Sequence, residues 1–151
     1  MIKLFEILDR AETATLQGKP FEFQDSGVFF KFRSLHFDEL SEIIEKMKAF
    51  AEGDSVKMAR AVKDLLAFNP LVGWTGMTIK IFAEIAMLDP TTLGYTEEQL
   101  SEEVIPGTNE QNSELVTKYF VKNLDWAIFA SNSVMAVVNE QREVANAQKK
   151  I

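Results

Sequence analysis

Residues 113–149 read SELVTKYFVKNLDWAIFASNSVMAVVNEQREVANAQK, without a single Pro or Gly. Phe120, Leu124, Ala127, Ser131, Val134, Val138, Gln141 and Ala145 alternate at spacings of four and three. That is the repeat of a coiled-coil seam, which keeps one stripe turned toward a partner helix. The pattern predicts one continuous helix over 113–148. Its seam is apolar as far as Val138, then fades into Gln141, Ala145 and Lys149. Such a seam predicts self-association, most simply a dimer, through Phe120, Leu124, Ala127, Val134 and Val138 or through a free sheet edge.

Upstream, apolar residues at helical spacing (Leu4, Ile7, Leu8, Ala11) predict a first helix over 2–16, ended by Gly18 and Pro20, with a short strand from Ile2 to Ile7 as the alternative. A hairpin follows over 20–33. Phe21 and Phe23 alternate with Glu22 and Gln24, Asp25-Ser26-Gly27 supplies the turn, and Val28 to Arg33 returns. Val28, Phe30 and Phe32 then share one face of the return strand. Two strands alone are marginal in water, so the ribbon must pack on helices or pair with another chain.

Further helices are expected over 38–52, capped by Asp38, and over 55–68, capped by Asp54 or Ser55. Others are expected over 76–88 and over 97–104, the last with Thr96 and Gln99 as a capping box. The fold class is therefore mainly α with one β-hairpin (α+β), a single domain over 1–151 with a long C-terminal helix.

The composition narrows the chemistry. At 151 residues and 46% hydrophobic, the chain suffices for one proper core. With no Cys, disulfides, thiolate metal sites and Cys nucleophiles are excluded together. The start, Met1 to Glu6, lacks a basic region followed by an uncharged run, which argues against a signal peptide and for a cytoplasmic protein. A net charge of −7 disfavours nucleic acid as a partner. The uncharged run Leu65 to Ile79 is shorter than the ~20 residues a bilayer span needs, so no membrane role is expected.

Candidate catalytic groups are sparse. His36 is the only histidine and precedes a helix start, where polar residues commonly serve as caps. Glu97, Glu98, Glu102 and Glu103 are paired carboxylates without the ligand spacing of a calcium loop, and a solvated helix face accounts for them. Gly73-Trp74-Thr75-Gly76 lacks the phosphate-loop and dinucleotide patterns. No catalytic residue, cofactor or metal site is expected, and an enzyme using Glu97 to Glu103 is a distant alternative. Asn69-Pro70 and Gly73 make Leu71, Val72 and Trp74 read as an apolar loop, a candidate anchor for a protein partner.

The run Val28-Phe29-Phe30-Lys31-Phe32-Arg33-Ser34-Leu35-His36-Phe37-Asp38-Glu39-Leu40 resembles the opening of phage tail assembly chaperones. In those small proteins a strand ending in a basic residue leads through a short turn into a helix. The resemblance covers residues 20–68 and rests on pattern; no functional residue is carried over. It implies a non-enzymatic assembly factor that shields apolar segments of the tape measure protein in the host cytoplasm. The second expectation is a structural subunit of a virion or other complex, with the long helix and the hairpin edge as contacts.

Overall fold

A computed structural model describes residues 2–48, 52–106 and 110–149. Its centre is the strand 29–32. β1 (Lys19–Glu22) and β2 (Phe29–Phe32) form the antiparallel hairpin, with Phe21 opposite Phe30 and Glu22 opposite Phe29. Its turn is closed by the Phe23 amide donating to the Val28 carbonyl at 3.0 Å. The Ser26 hydroxyl donates to the Phe23 carbonyl at 2.5 Å and accepts from the Val28 amide at 3.1 Å. As expected, Val28, Phe30 and Phe32 are fully buried.

The hairpin does not stand alone. β3 (Leu71–Thr75) pairs antiparallel with the other side of β2, placing Trp74 opposite Phe30, so the sheet order is β1-β2-β3. This corrects the reading of Leu71, Val72 and Trp74 as a loop. Asn69 at φ 55 and Gly76 at φ 78 are turn conformations, and they bracket a short apolar segment that fits a strand. The breakers delimit the strand.

Pro20 blunts the outer edge. Because Phe23 bonds to Val28 across the ladder, alternation turns Phe21 and Lys19 toward β2, and Glu22 and Pro20 away from it. Of the two outward positions Pro20 has no N–H, leaving Glu22 as the outward donor of β1, which disfavours hairpin-edge assembly.

α1 (Leu4–Gln17) precedes the sheet as expected. α2 (Phe37–Ile43) is shorter than the expected 38–52, since the chain turns and passes into a 3₁₀ segment at Lys46–Lys48. Phe50 and Ala51 of that expected helix lie outside the described residues. The helix starts one residue early, with the Glu39 side chain accepting from the His36 amide at 2.8 Å. Asp38 is therefore not the cap. α3 (Ser55–Leu66) is capped by Asp54, whose Oδ1 accepts from the amides of Val56 and Lys57, and it buries Ala61, Val62, Leu65 and Leu66.

α4 (Ile79–Ile85) and α5 (Glu97–Leu100) are shorter than 76–88 and 97–104. The residues shed after α5 meet the start of α4 and the segment before it. The Ile79 amide donates to Glu102 at 2.9 Å, and the Val104 amide to Met77 at 2.7 Å. The Thr96–Gln99 capping box forms as expected, with bonds of 2.9 and 3.2 Å.

The C-terminal stretch is two helices, α6 (Glu110–Phe120) and α7 (Leu124–Lys149). Asn123 divides them. Its Oδ1 accepts from the Asp125 amide at 3.1 Å, its carbonyl takes the Ala127 amide at 2.9 Å, and its Nδ2 donates to the Ile85 carbonyl at 3.1 Å. A side chain that caps a helix and ties it to α4 outweighs the weak helix preference of an unbroken run.

The seam is satisfied within the chain. Phe120, Ala127 and Val134 are fully buried and Val138 nearly so, with α7 packed on α3 and β2. Leu124 is exposed at 41%. The expected dimer seam is therefore an intramolecular core. Around Phe30, the rings of Phe120, Trp126 and Phe129 lie 5.7–6.0 Å away in edge-to-face arrangements, the geometry aromatic quadrupoles favour.

Candidate functional site

Trp74 is not the exposed side chain the loop reading expects. It is 1% exposed, and its indole Nε1 donates to the Val104 carbonyl at 3.2 Å, so its one polar group is satisfied inside the fold. Leu71 is equally buried. Val72, on the other face of β3, is half-buried, and its Cγ2 would lie 2.8 Å from a side chain added at Gly18.

The acidic candidates remain dispersed on the surface. Glu97, Glu98, Glu102 and Glu103 are exposed, and Glu102 and Glu103 belong to the segment that meets Met77 to Ile79. Among the described residues, no three groups of metal-ligating type are placed to share an ion. His36 is exposed, with its backbone amide used as a helix-capping donor.

The most connected charged group is Arg33. Its guanidinium donates to the carbonyls of Phe68, Asn69 and Ser34 and pairs with Glu39 at 3.3 Å. Burial works to raise the pKa of Glu39. The hydrogen bond from Arg33, the His36 amide and the Arg33 charge outweigh it, and hold the carboxyl below its ordinary value. Every partner of this cluster belongs to the fold itself, so it fastens the end of β2 to α2 and to the exit from α3. Its five guanidinium N–H donors are all taken up within the fold.

Two surfaces remain, and neither was evident as a site in the sequence. The first is α1. Leu4, Phe5, Ile7 and Leu8 are 71%, 82%, 51% and 59% exposed. At 100° per residue they fall within one arc, while Glu6, Asp9 and Arg10 occupy the opposite one. An amphipathic helix normally buries such a stripe; this one presents it.

The second is a groove of about 440 Å³ between α3 and α6. Lys63, Leu66 and Ala67 supply one wall at spacings of three and one along α3. Glu114, Thr117 and Lys118 line the other on α6, with Val121 just beyond its end. Lys122 extends the basic rim, its Nζ lying 5.4 Å over the Tyr119 ring. Three lysines and one carboxylate, Glu114, thus rim an apolar floor in a protein whose net charge is −7. Among the described residues, none of the three forms an ion pair with a carboxylate.

A wider groove of about 570 Å³ lies between the hairpin and α7, floored by Phe21, Phe23 and Phe129 and bordered by Glu22 and Asp125. Its charged border residues are acidic, with Gln24, Asn132 and Ser133 as neutral polar neighbours. No helix among the described residues is long and apolar enough to cross a membrane. Comparison with protein-family models, with curated proteins and with solved structures found no match.

Proposed function

We propose that this chain is a non-enzymatic, protein-binding assembly factor that takes an apolar, acid-flanked helix of another protein into the α3–α6 groove. The observation that carries the reading is the pairing of an apolar floor with Lys63, Lys118 and Lys122, three lysines against the single carboxylate Glu114, on a protein otherwise rich in carboxylates. Recognition of an amphipathic helix needs those two elements, apolar contact along one helix face and charge at its margins. The rim would steer and orient the client, while the floor would supply most of the affinity.

Within that class, the finer reading is a phage tail assembly chaperone. The strand-to-helix pattern of residues 28–40 supports it, and the client would be a segment of the tape measure protein shielded until assembly. A structural subunit is the second reading, favoured by the exposed stripe of α1, which suits a lasting assembly contact.

Co-expression with the tape measure protein, followed by affinity purification of the complex, tests the proposal. The wild-type chain should retain the client. The double variant Lys63→Glu, Lys118→Glu should retain at least ten-fold less while melting at the same temperature, because both side chains are exposed. Equal retention by both proteins would remove the groove from the mechanism.

A further inference from the structure

We propose that the groove between the hairpin and α7 is a second protein-binding site, and that it takes an amphipathic helix carrying Lys or Arg at one end. This site is independent of the α3–α6 groove. Asp125, Ile128, Phe129, Asn132, Ser133 and Ala136 supply one wall. Their spacings of three, one, three, one and three make a single stripe on α7, roughly 16 Å long at about 1.5 Å per residue. The seam of Ala127, Val134 and Val138 is covered by α3 and β2, whereas this neighbouring stripe leaves Asn132 and Ala136 exposed and Phe129 half-buried. A stripe of about three turns, with a strand along its other side, is the shape that seats a further helix. The Ser133 hydroxyl donates to the Phe129 carbonyl at 2.8 Å, so that donor is already used.

The groove also has a direction. The Phe23 ring lies 5.1 Å from Phe129, and Lys19 pairs with Glu140 at 2.6 Å, so β1 runs antiparallel to α7 along it. Glu22 therefore lies toward the Asp125 end. Among the described residues of the lining these two are the charged ones, and neither forms an ion pair. At the other end Lys19 reaches over the Phe21 ring at 5.9 Å, but Glu140 balances its charge. One end is thus anionic and the other neutral, which favours a helix with basic residues at a single end and fixes its orientation. An acid-flanked helix would meet like charge here.

The probe is a pair of synthetic, amidated peptides of about 14 residues, each with Leu at helical spacing and Gln elsewhere. One carries two Lys in its last turn, the other two Glu. In ~150 mM salt, which screens long-range attraction to a protein of net charge −7, the Lys peptide should bind about ten-fold more tightly. Glu22→Gln with Asp125→Asn should bring the two peptides to equal affinity. Both positions are exposed, and Gln keeps an oxygen for the Gly27 amide that Glu22 accepts at 3.2 Å, so the melting temperature should not move. Glu97→Gln with Glu98→Gln removes as much charge from α5 and should leave the preference intact. Because the chain has no Cys, Asn132→Cys can carry a single environment-sensitive fluorophore, whose emission should shift when the Lys peptide is added.

Failure of both peptides to bind at ~100 μM would overturn the proposal. So would a preference that survives Glu22→Gln with Asp125→Asn, which would place the peptide elsewhere, or one lost equally with Glu97 and Glu98, which would reduce it to net charge. A wild type that dimerises through a contact at Asn132 would make a second copy the occupant, and would overturn it too. Client retention by Lys63→Glu, Lys118→Glu is read separately, so either groove can fail without the other.

Discussion

At Asn123 one side chain acts on two elements, capping α7 and holding the Ile85 carbonyl at the end of α4. Asn123→Ala removes the cap and leaves that carbonyl short of a donor. A loss of about 1–2 kcal/mol is expected in urea denaturation. Trp74 is the larger test. With the ring buried and its N–H bonded to Val104, Trp74→Ala should cost about 3–5 kcal/mol of folding free energy. A variant of near wild-type stability would restore the exposed-anchor reading. Glu39 gives the pH dependence its sign. A carboxyl whose folded-state pKa is depressed contributes stability at pH values above its ordinary value, near 4.3. That contribution disappears as pH falls through the lower folded-state value. Glu39→Gln should therefore flatten the acid limb of stability below about pH 4.5, while Arg33 loses its charged partner at every pH.

Among the elements, the sheet depends on contacts between turns as much as on its ladder. Gly76, at φ 78 after β3, would place a Cβ 2.6 Å from the Gly27 carbonyl oxygen in the hairpin turn. Gly76→Ala thus combines an unfavourable backbone conformation with a collision against backbone. It should cost on the order of 1–3 kcal/mol, read as a lowered urea midpoint. Gly27 itself has open space where its Cβ would lie, so Gly27→Ala bears only the backbone term and should cost less. The seam of α7 shows the limit of periodicity. Phe120, Ala127, Val134 and Val138 share one stripe as the spacing predicts, but the expectation that a second copy covers it differs from the structure, where α3 and β2 bury it. A stripe identifies which side is covered, and says nothing of which surface covers it.

For the whole molecule, the exposed residues that matter are at opposite ends of the sequence reading. α1 was visible as an amphipathic helix from Leu4, Ile7 and Leu8, yet its exposure follows only from the absence of covering contacts in the fold. The α3–α6 groove joins Lys63 to Lys118, far apart in sequence, and no local pattern marks such a pair. A binding factor without cofactor should show no response to small ligands. Mg²⁺, Ca²⁺ and ATP are each expected to leave the melting temperature unchanged. A ligand present at one hundred times its dissociation constant would add about 2.7 kcal/mol, an easily measured rise.

Sequence alone determined the helices with strong caps and periodic faces, the hairpin with its buried Val28, Phe30 and Phe32, and the α+β class. Those features are local: a cap bonds within three residues, and a turn joins strands already adjacent. Tertiary structure decided the third strand, the break at Asn123, the burial of Trp74 and the solvent exposure of α1. Each of these depends on a partner distant in sequence, such as Phe30 for Trp74 or Ile85 for Asn123. The propensity of a short apolar segment cannot distinguish loop, strand and helix end until that partner is in place.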